Sequence, residues 1–127
     1  MAEVMTDREL LELAAKAPGA GPCMEYMEWD GYRFVEHKVH GVPHCGLNYE
    51  RTWNPLIDDG DALRLAVKLR IEVGHDEIGM KSFVYARVEY EELNHIGLSE
   101  IFDDDSERLW RTRRAIVRAA AEIGKGV

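Results

Sequence analysis

The sequence has little of what holds together very small, secreted or membrane-spanning proteins. It contains two cysteines, Cys23 and Cys45, and four prolines in 127 residues. The first residues are acidic and show no basic segment followed by an apolar run, so we expect no secretory signal. No apolar run approaches the roughly 18 residues that cross a bilayer. We therefore expect a cytoplasmic protein that contacts no membrane and whose two thiols are reduced.

Basic residues are also scarce. Sixteen lysines and arginines stand against 24 acidic residues, which gives a formal net charge of −8. This balance opposes contact with DNA or anionic lipid, so direct nucleic-acid binding is not expected.

Catalytic motifs are absent from the sequence as well. The three serines, Ser82, Ser99 and Ser106, lie outside any Gly-x-Ser-x-Gly segment. No glycine-rich phosphate loop and no His-Glu-x-x-His motif occurs. The sequence thus predicts no catalytic residue and no cofactor.

What is present is the composition of an ordinary globular domain. The chain is 46% apolar and 31% charged, and its length suits one domain over residues 1–127. Hydrophobic periodicity predicts the order α-β-β-α-β-β-α. The simplest architecture for that order is a four-stranded, largely antiparallel sheet with three flanking helices, an α/β/α sandwich.

Three helices are predicted from their start signals and apolar faces. Thr6 and Glu9 form a capping box, and the first helix ends at Pro18. Asp58, Asp59 and Asp61 begin the second helix, and the third starts within residues 103–107 and runs to Gly124. We expect these buried positions: Leu10, Leu13, Ala14 and Ala17; Ala62, Leu63, Ala66, Val67 and Leu69; and Leu109, Ile116, Ala120 and Ile123.

The strands are predicted in two hairpins. Residues 24–29 and 32–37 flank Asp30-Gly31, a pair typical of the two-residue type I′ turn. Alternation predicts two further strands near 71–73 and 84–90, joined by a polar loop over residues 75–81. Residues 40–54 show no period and are interpreted as a long loop, where a contact surface is expected.

Three segments together resemble a known family. They are residues 6–17, residues 53–69 with Trp-Asn-Pro-Leu leading into Asp-Asp-Gly-Asp-Ala, and residues 113–125. They are similar to the small proteins of tailed phages and proteobacterial prophages grouped as the phage ABA-sandwich domain. The resemblance covers the three helices and implies a layered α/β/α fold and expression in the cytosol of a bacterial host. It implies no activity and no catalytic residue.

The strongest metal-binding candidate is a histidine-rich segment. His37, His40, His44 and Cys45 lie within nine residues, and Cys23 precedes them. Imidazole and thiolate are zinc ligands, but the spacing lacks a Cys-x2-Cys or His-x3-His pair. We favour a strand end and loop with solvated histidines, and keep zinc open. The sequence predicts no metal ligands at the acidic clusters Asp58-Asp59-Gly60-Asp61 and Asp103-Asp104-Asp105, because capping of helix ends explains them.

Charge is unevenly distributed near the C-terminal end. Residues 89–107 carry eight acidic side chains and no lysine or arginine, while residues 108–127 carry six basic ones. Arg111, Arg114 and Arg118 share one helical face, and we expect them to be solvated and paired with Glu107 and Glu122. Alternatively, the acidic stretch mimics nucleic acid for a protein partner. Trp29, Trp53 and Trp110 are expected to pack rather than to stack on a ligand.

These features predict a non-enzymatic accessory protein of a phage or prophage that acts by protein–protein binding. The partner would be a host or phage protein, and one form is an inhibitor of a host or defence protein. The alternative is a metal-dependent hydrolase or nuclease that uses the segment from His37 to Cys45. A self-associating domain, a homo-oligomer, is a further possibility.

Overall fold

The structure is a computed structural model that describes residues 5–22, 24–36, 38–39, 42–43, 52–91 and 94–126. Over these residues it has three α-helices, two three-stranded antiparallel sheets and one two-stranded ribbon. The predicted mixture of helices and antiparallel strands is confirmed. The prediction of a single four-stranded sheet was wrong, because the first hairpin and the later strands form separate sheets.

The helices are α1 (Asp7–Lys16), α2 (Asp59–Leu69) and α3 (Arg108–Lys125). The strands are β1 (Met27–Trp29), β2 (Phe34–Glu36), β3 (Lys38–Val39), β4 (Val42–Pro43), β5 (Thr52–Trp53), β6 (Glu72–Ile78), β7 (Lys81–Glu91) and β8 (Asn94–Phe102). The sheets have the orders β1-β2-β5 and β6-β7-β8, and β3 pairs with β4. None of the helices in the described ranges is both long enough and apolar enough to cross a membrane.

The first helix follows its prediction closely. The Thr6 side chain accepts from the Glu9 backbone N–H, the Glu9 carboxylate accepts from the Thr6 backbone N–H, and α1 ends at Lys16. Leu10, Ala14 and Ala17 are buried as predicted. Glu12 pairs with Arg8, one turn earlier, at 2.9 Å. The face of α1 that carries the buried residues packs against α3.

The first hairpin forms with a longer loop than predicted. Trp29 pairs with Phe34, so residues 30–33 form a four-residue connection instead of a type I′ turn. The Asp30 side chain accepts from the backbone N–H groups of Tyr32 and Arg33, both at 2.8 Å. These bonds hold the pKa of Asp30 below its usual value, because they favour the charged carboxylate. Gly31 supplies the positive φ, 99°, that the loop needs.

Two stretches predicted as loops contain strands. The segment 40–54 includes β4 and β5, and β5 extends the first hairpin by pairing with β2. The segment 75–81 belongs mostly to β6, since only Gly79 and Met80 form the turn between β6 and β7. Polar residues fill this hairpin because both of its faces are exposed near the turn, so burial imposes no alternation there.

Strand β8 was absent from the prediction. Its inward positions are Ile96, Leu98, Glu100 and Phe102, and its outward positions include Ser99 and Ile101. The alternation is regular but is masked by a charged residue at a buried position and an isoleucine at an exposed one. The pattern therefore resembled an irregular acidic segment.

Helix α3 organises the interior. It packs against β7 and β8, and both α1 and α2 pack against α3. Most of its middle and C-terminal half is buried: Ala115, Ile116, Val117, Ala119, Ala120, Ala121, Ile123 and Gly124. Three predicted core positions are instead exposed, namely Leu109 in α3 and Leu63 and Val67 in α2. They face outward because other residues contact the core. In α2 these are the neighbouring alanines and Leu65, and in α3 they are the buried residues from Ala115 onward.

Candidate binding face of the β6-β7-β8 sheet

The two faces of the β6-β7-β8 sheet differ in what covers them. Val84 pairs with Glu100, and Glu100 is bonded to α3, so this row faces the core. Successive residues of a strand point to opposite faces, so Phe83 and its pair partner Ile101 lie on the other face. We call that side the outer face. In the described ranges no helix packs on it.

One end of the outer face is apolar. Ile78 and Ile101 are 72% and 59% exposed, Met80 at the turn is fully exposed, and Phe83 is half-buried between them. Phe83 pairs with Ile101 on one side and with Asp76 on the other, while Ile78 lies diagonal to it. We call Ile78, Met80, Phe83 and Ile101 the tip patch. Three of its residues lie on adjacent strands of the outer face, and Met80 lies at the turn between β6 and β7.

Ion pairs border the outer face at both ends. The Lys81 ammonium lies 3.2 Å from the Asp103 carboxylate beside the tip patch. At the other end the Arg87 Nε donates to Glu72 at 2.7 Å. Each pair is exposed, so each contributes less than about 1 kcal/mol to stability. An apolar centre with a charged border is the usual arrangement of a protein–protein contact.

The centre of the outer face is a flat aromatic surface. The Tyr85 ring lies directly over Gly74 on the neighbouring strand, so closely that a Cβ built on Gly74 would come within 2.1 Å of the ring. Phe83 lies beside Tyr85 with ring centroids 6.3 Å apart. The Arg87 guanidinium carbon lies 5.9 Å from the Tyr85 ring centroid. Glycine at position 74 is what allows the tyrosine to lie flat against the sheet.

A shallow cavity of about 620 Å³ opens at the far end of this sheet. Its lining carries both signs of charge and one imidazole: Arg70, Glu72, Arg87, Val88, Glu89 and His95. Glu89 and His95 are direct cross-strand neighbours, but no hydrogen bond or ion pair joins them. Among the described residues, no group of three or more His, Cys, Asp or Glu could hold a metal ion.

Beneath the sheet, three arginines surround one carboxylate. Glu100 is only 7% exposed. Arg111 donates to it at 3.0 Å, Arg118 donates to its other oxygen and to the Ser99 carbonyl, and Arg114 lies 3.8 Å away. Burial by itself lowers the pKa of Arg111, but hydrogen bonds to Glu100 and Glu107 more than offset this, so its pKa is raised.

We call Arg111, Arg114 and Arg118 the arginine stripe. The prediction that they share one face of a helix is confirmed, but the prediction that they are solvated was wrong. Arg111, Arg114 and Arg118 do share one side of α3, and Arg111 pairs with Glu107 as expected, at 3.1 Å. They are partly covered rather than solvated, and their main partner is Glu100, 11 to 18 residues away. Glu122 pairs with Lys125. The stripe therefore joins α3 to the sheet.

The acidic stretch 89–107 does not form a uniform acidic surface. Glu100 is buried, Asp105 pairs with Arg108 at 2.7 Å, and Glu107 pairs with Arg111. Asp104 caps a short 3-10 turn by accepting from the Ser106 N–H at 2.9 Å, which lowers the pKa of Asp104. Asp103 and Glu89 remain on the outer face.

The acidic residues at the start of α2 make structural contacts, and Asp58 caps the helix as predicted. Asp58 accepts from the Asp61 N–H at 2.8 Å, and Asp59 pairs with Arg113 of α3 at 2.7 Å. Asp61 accepts from the backbone N–H of Asn54 at 2.9 Å. The Asn54 side chain donates to the Tyr32 carbonyl at 2.6 Å. The Trp-Asn-Pro-Leu segment therefore joins the first hairpin to the start of α2.

The tryptophans behave as packing residues in two of three cases. Trp53 is buried and Trp29 packs edge-on against Phe34, with ring centroids 5.0 Å apart. Trp110 is exposed and lies under the Arg111 guanidinium at 4.1 Å. The metal-binding candidates Cys23, His37, His40, His44 and Cys45 lie outside the described residues, so the preferred interpretation of solvated histidines and the zinc alternative both stay predictions.

The residues of the tip patch were not identified from the sequence. Ile78 and Met80 fell in a predicted loop, and Ile101 fell in a strand that was not predicted. The available signal was the alternation over residues 94–102, which places the Ile101 side chain on the face opposite to Leu98, Glu100 and Phe102.

No protein-family model, curated protein or solved structure matches the chain.

Proposed function

We propose that this chain is an accessory protein of a phage or prophage and that it acts by binding another protein, not by catalysis. The observation that carries this proposal is the tip patch, in which three large apolar side chains, Ile78, Met80 and Ile101, are exposed at one end of the outer face. Large apolar patches bordered by polar groups mark interaction surfaces. The phage origin rests only on the resemblance of the three helical segments.

The chemistry of the outer face supports binding over catalysis. Four of its charged groups form two ion pairs, Arg87 with Glu72 and Lys81 with Asp103. A general acid or base needs a side chain placed to exchange a proton with a substrate, and charged groups held in exposed ion pairs are poorly suited to this. The alternative, a metal-dependent hydrolase or nuclease, depends on residues 37–45, most of which lie outside the described ranges.

A tagged pull-down from bacterial lysate tests the proposal. The three baits are the wild-type chain, Ile101→Lys in the tip patch, and Val67→Lys on α2 as a matched control, since Val67 is exposed to a similar extent. We expect one protein to be retained stoichiometrically by the wild-type and Val67→Lys baits and lost from Ile101→Lys. Equal retention by all three baits would exclude the tip patch.

The competing activity is tested separately. The purified chain is assayed for nuclease and esterase turnover with added Zn²⁺ or Mn²⁺. We expect no turnover above the rate of a His40→Ala, His44→Ala double variant. Metal-dependent turnover that this variant abolishes would replace binding by catalysis as the function.

A further inference from the structure

The shallow cavity of the β6-β7-β8 sheet, which we call the far-end cavity, collects side chains from three strands and from the end of α2. Arg70 follows α2, Glu72 belongs to β6, Arg87 and Glu89 belong to β7, and His95 belongs to β8. The strand register places Glu72 beside Arg87 and Glu89 beside His95, on the outer face. The volume of about 620 Å³ falls within the range of small-molecule sites, about 300–1,000 Å³.

Arg70 is the only described arginine that forms no ion pair, whereas every other one pairs with an aspartate or glutamate. It is also the only described residue other than glycine with a positive φ, 57°. Hydrogen bonds from the Arg70 N–H to the Val67 carbonyl and from the Ile71 N–H to the Ala66 carbonyl hold its backbone there. Glycine is the usual residue at this position of a helix end, so the chain keeps an unpaired guanidinium where a side chain is unfavourable.

The remaining charges of the cavity are partly neutralised. Arg87 binds Glu72 through its Nε and Nη2 atoms, so these two charges cancel. Glu89 forms no hydrogen bond or ion pair with a described residue, and neither does its cross-strand neighbour His95. Arg70 and Glu89 therefore line one cavity with opposite charges that are not paired with each other.

We propose that the far-end cavity binds a small zwitterion of the α-amino acid type. The Arg70 guanidinium donates two parallel N–H bonds to the ligand carboxylate. The ligand ammonium donates to the Glu89 carboxylate, and the His95 imidazole supplies a further hydrogen-bonding group beside it. This site lies at the opposite end of the outer face from the tip patch, so it adds a small-molecule ligand to the proposed protein-binding function.

Ligands with a single charge fit these groups less well. A plain anion on Arg70 would bring its charge towards Glu89, and a plain cation on Glu89 would bring its charge towards Arg70. A zwitterion meets an opposite charge at both ends. Phosphate esters and nucleic acid are disfavoured by Glu89 and by the net charge of −8.

NMR titration of the isotope-labelled, full-length chain tests the proposal. The probes are free glycine, leucine and lysine, each compared with its N-acetyl derivative, which lacks the α-ammonium, and with its amide, which lacks the carboxylate. We expect saturable shifts of the backbone amides around the far-end cavity, with a dissociation constant of about 0.1–10 mM for at least one free amino acid. Both of its derivatives should bind at least about tenfold more weakly, because each loses one charge-assisted contact.

The Arg70→Gly variant separates binding from folding. Glycine suits the positive φ, so the variant should unfold at no lower temperature than wild type, while its affinity for the amino acid falls at least about tenfold. Glu89→Gln should weaken binding to a similar extent. Lys68→Gln is the matched control, since it removes a cation from the last turn of α2 that does not line the cavity, and it should bind as wild type does.

Three results would overturn the proposal. The first is the lack of a saturable shift with any of the three amino acids, and the second is equal affinity of Arg70→Gly and wild type. The third is equal binding of the N-acetyl derivative, which would assign the cavity to a plain anion. The tip-patch variant Ile101→Lys should bind the amino acid as wild type does, so failure of this site and failure of the protein-binding surface are distinguishable.

Discussion

Glu100 of β8 accepts a hydrogen bond from Arg111 of α3 across 3.0 Å, in a position where only 7% of the glutamate is exposed. Arg118, two turns along α3 from Arg111, donates to the other oxygen of the same carboxylate. One buried charge therefore holds two points of the helix against the sheet. Because this fixes which face of β8 is covered, it also determines that Ile101 is exposed to solvent.

The Glu100→Gln variant should be markedly destabilised. The amide removes the negative charge that Arg111, Arg114 and Arg118 share, so these arginines lose their common ion-pair partner. Breaking a buried ion pair costs about 3–5 kcal/mol, and the partial exposure of these arginines reduces this to about 2–3 kcal/mol. Urea unfolding measures the change. Glu107→Gln, which touches the same Arg111 from a more exposed position, should cost less than about 1 kcal/mol.

The Gly124→Ala variant tests the contact between α3 and α1. A Cβ at position 124 would lie 1.8 Å from the Leu13 carbonyl oxygen, which is backbone and cannot swing away. The two helices must separate, at a cost of about 1–3 kcal/mol. Thermal unfolding gives the loss. Gly60→Ala in α2 is the matched control, since the nearest atoms to its Cβ would be side-chain atoms, the guanidinium nitrogens of Arg64 and a carboxylate oxygen of Asp58 at 3.1 to 3.2 Å, and we expect a much smaller effect. Equal effects of both would contradict the close approach.

The Asn54→Ala variant tests the link between the first hairpin and α2. The Asn54 side chain donates to the Tyr32 carbonyl and accepts from the Leu56 N–H, and both contacts are partly buried. Two backbone groups would lose their partners, at about 1–3 kcal/mol each. We expect a total loss of about 2–4 kcal/mol in the free energy of unfolding. A loss below about 0.5 kcal/mol, the size of an ordinary surface change, would show that water replaces these bonds.

The first hairpin should weaken in acid. The pKa of Asp30 is below its ordinary value in the folded chain, because the backbone N–H groups of Arg33 and Tyr32 stabilise its carboxylate. A depressed folded pKa adds stability above the unfolded pKa of about 3.9, and this stability is lost as the pH falls through the lower, folded value. NMR titration of the Asp30 carboxyl should give a midpoint below 3.8, the ordinary value. The Asp30→Asn variant should show a smaller decline in unfolding midpoint between pH 5 and pH 2 than wild type. An unshifted midpoint would contradict the two hydrogen bonds.

Local chemistry in the sequence accounts for where α1 and α2 begin. The capping box at Thr6 and Glu9 and the cap at Asp58 act within one turn of the chain, so they are visible in the sequence alone. The arginine stripe is likewise a property of one helix. The same holds for the mixed α and β composition and for the first hairpin, whose position Asp30-Gly31 marks even though the loop is longer than predicted.

Only the tertiary structure decided which faces are covered. Leu63, Val67 and Leu109 have the periodicity of core residues but are exposed, because α3 meets its neighbours through alanines and Leu65 of α2 instead. Glu100 is charged but buried, because three arginines reach it from a helix that begins eight residues later. The separation into two sheets and the exposed tip patch depend on strand pairing between distant residues, and hydrophobic pattern within a segment does not encode that pairing.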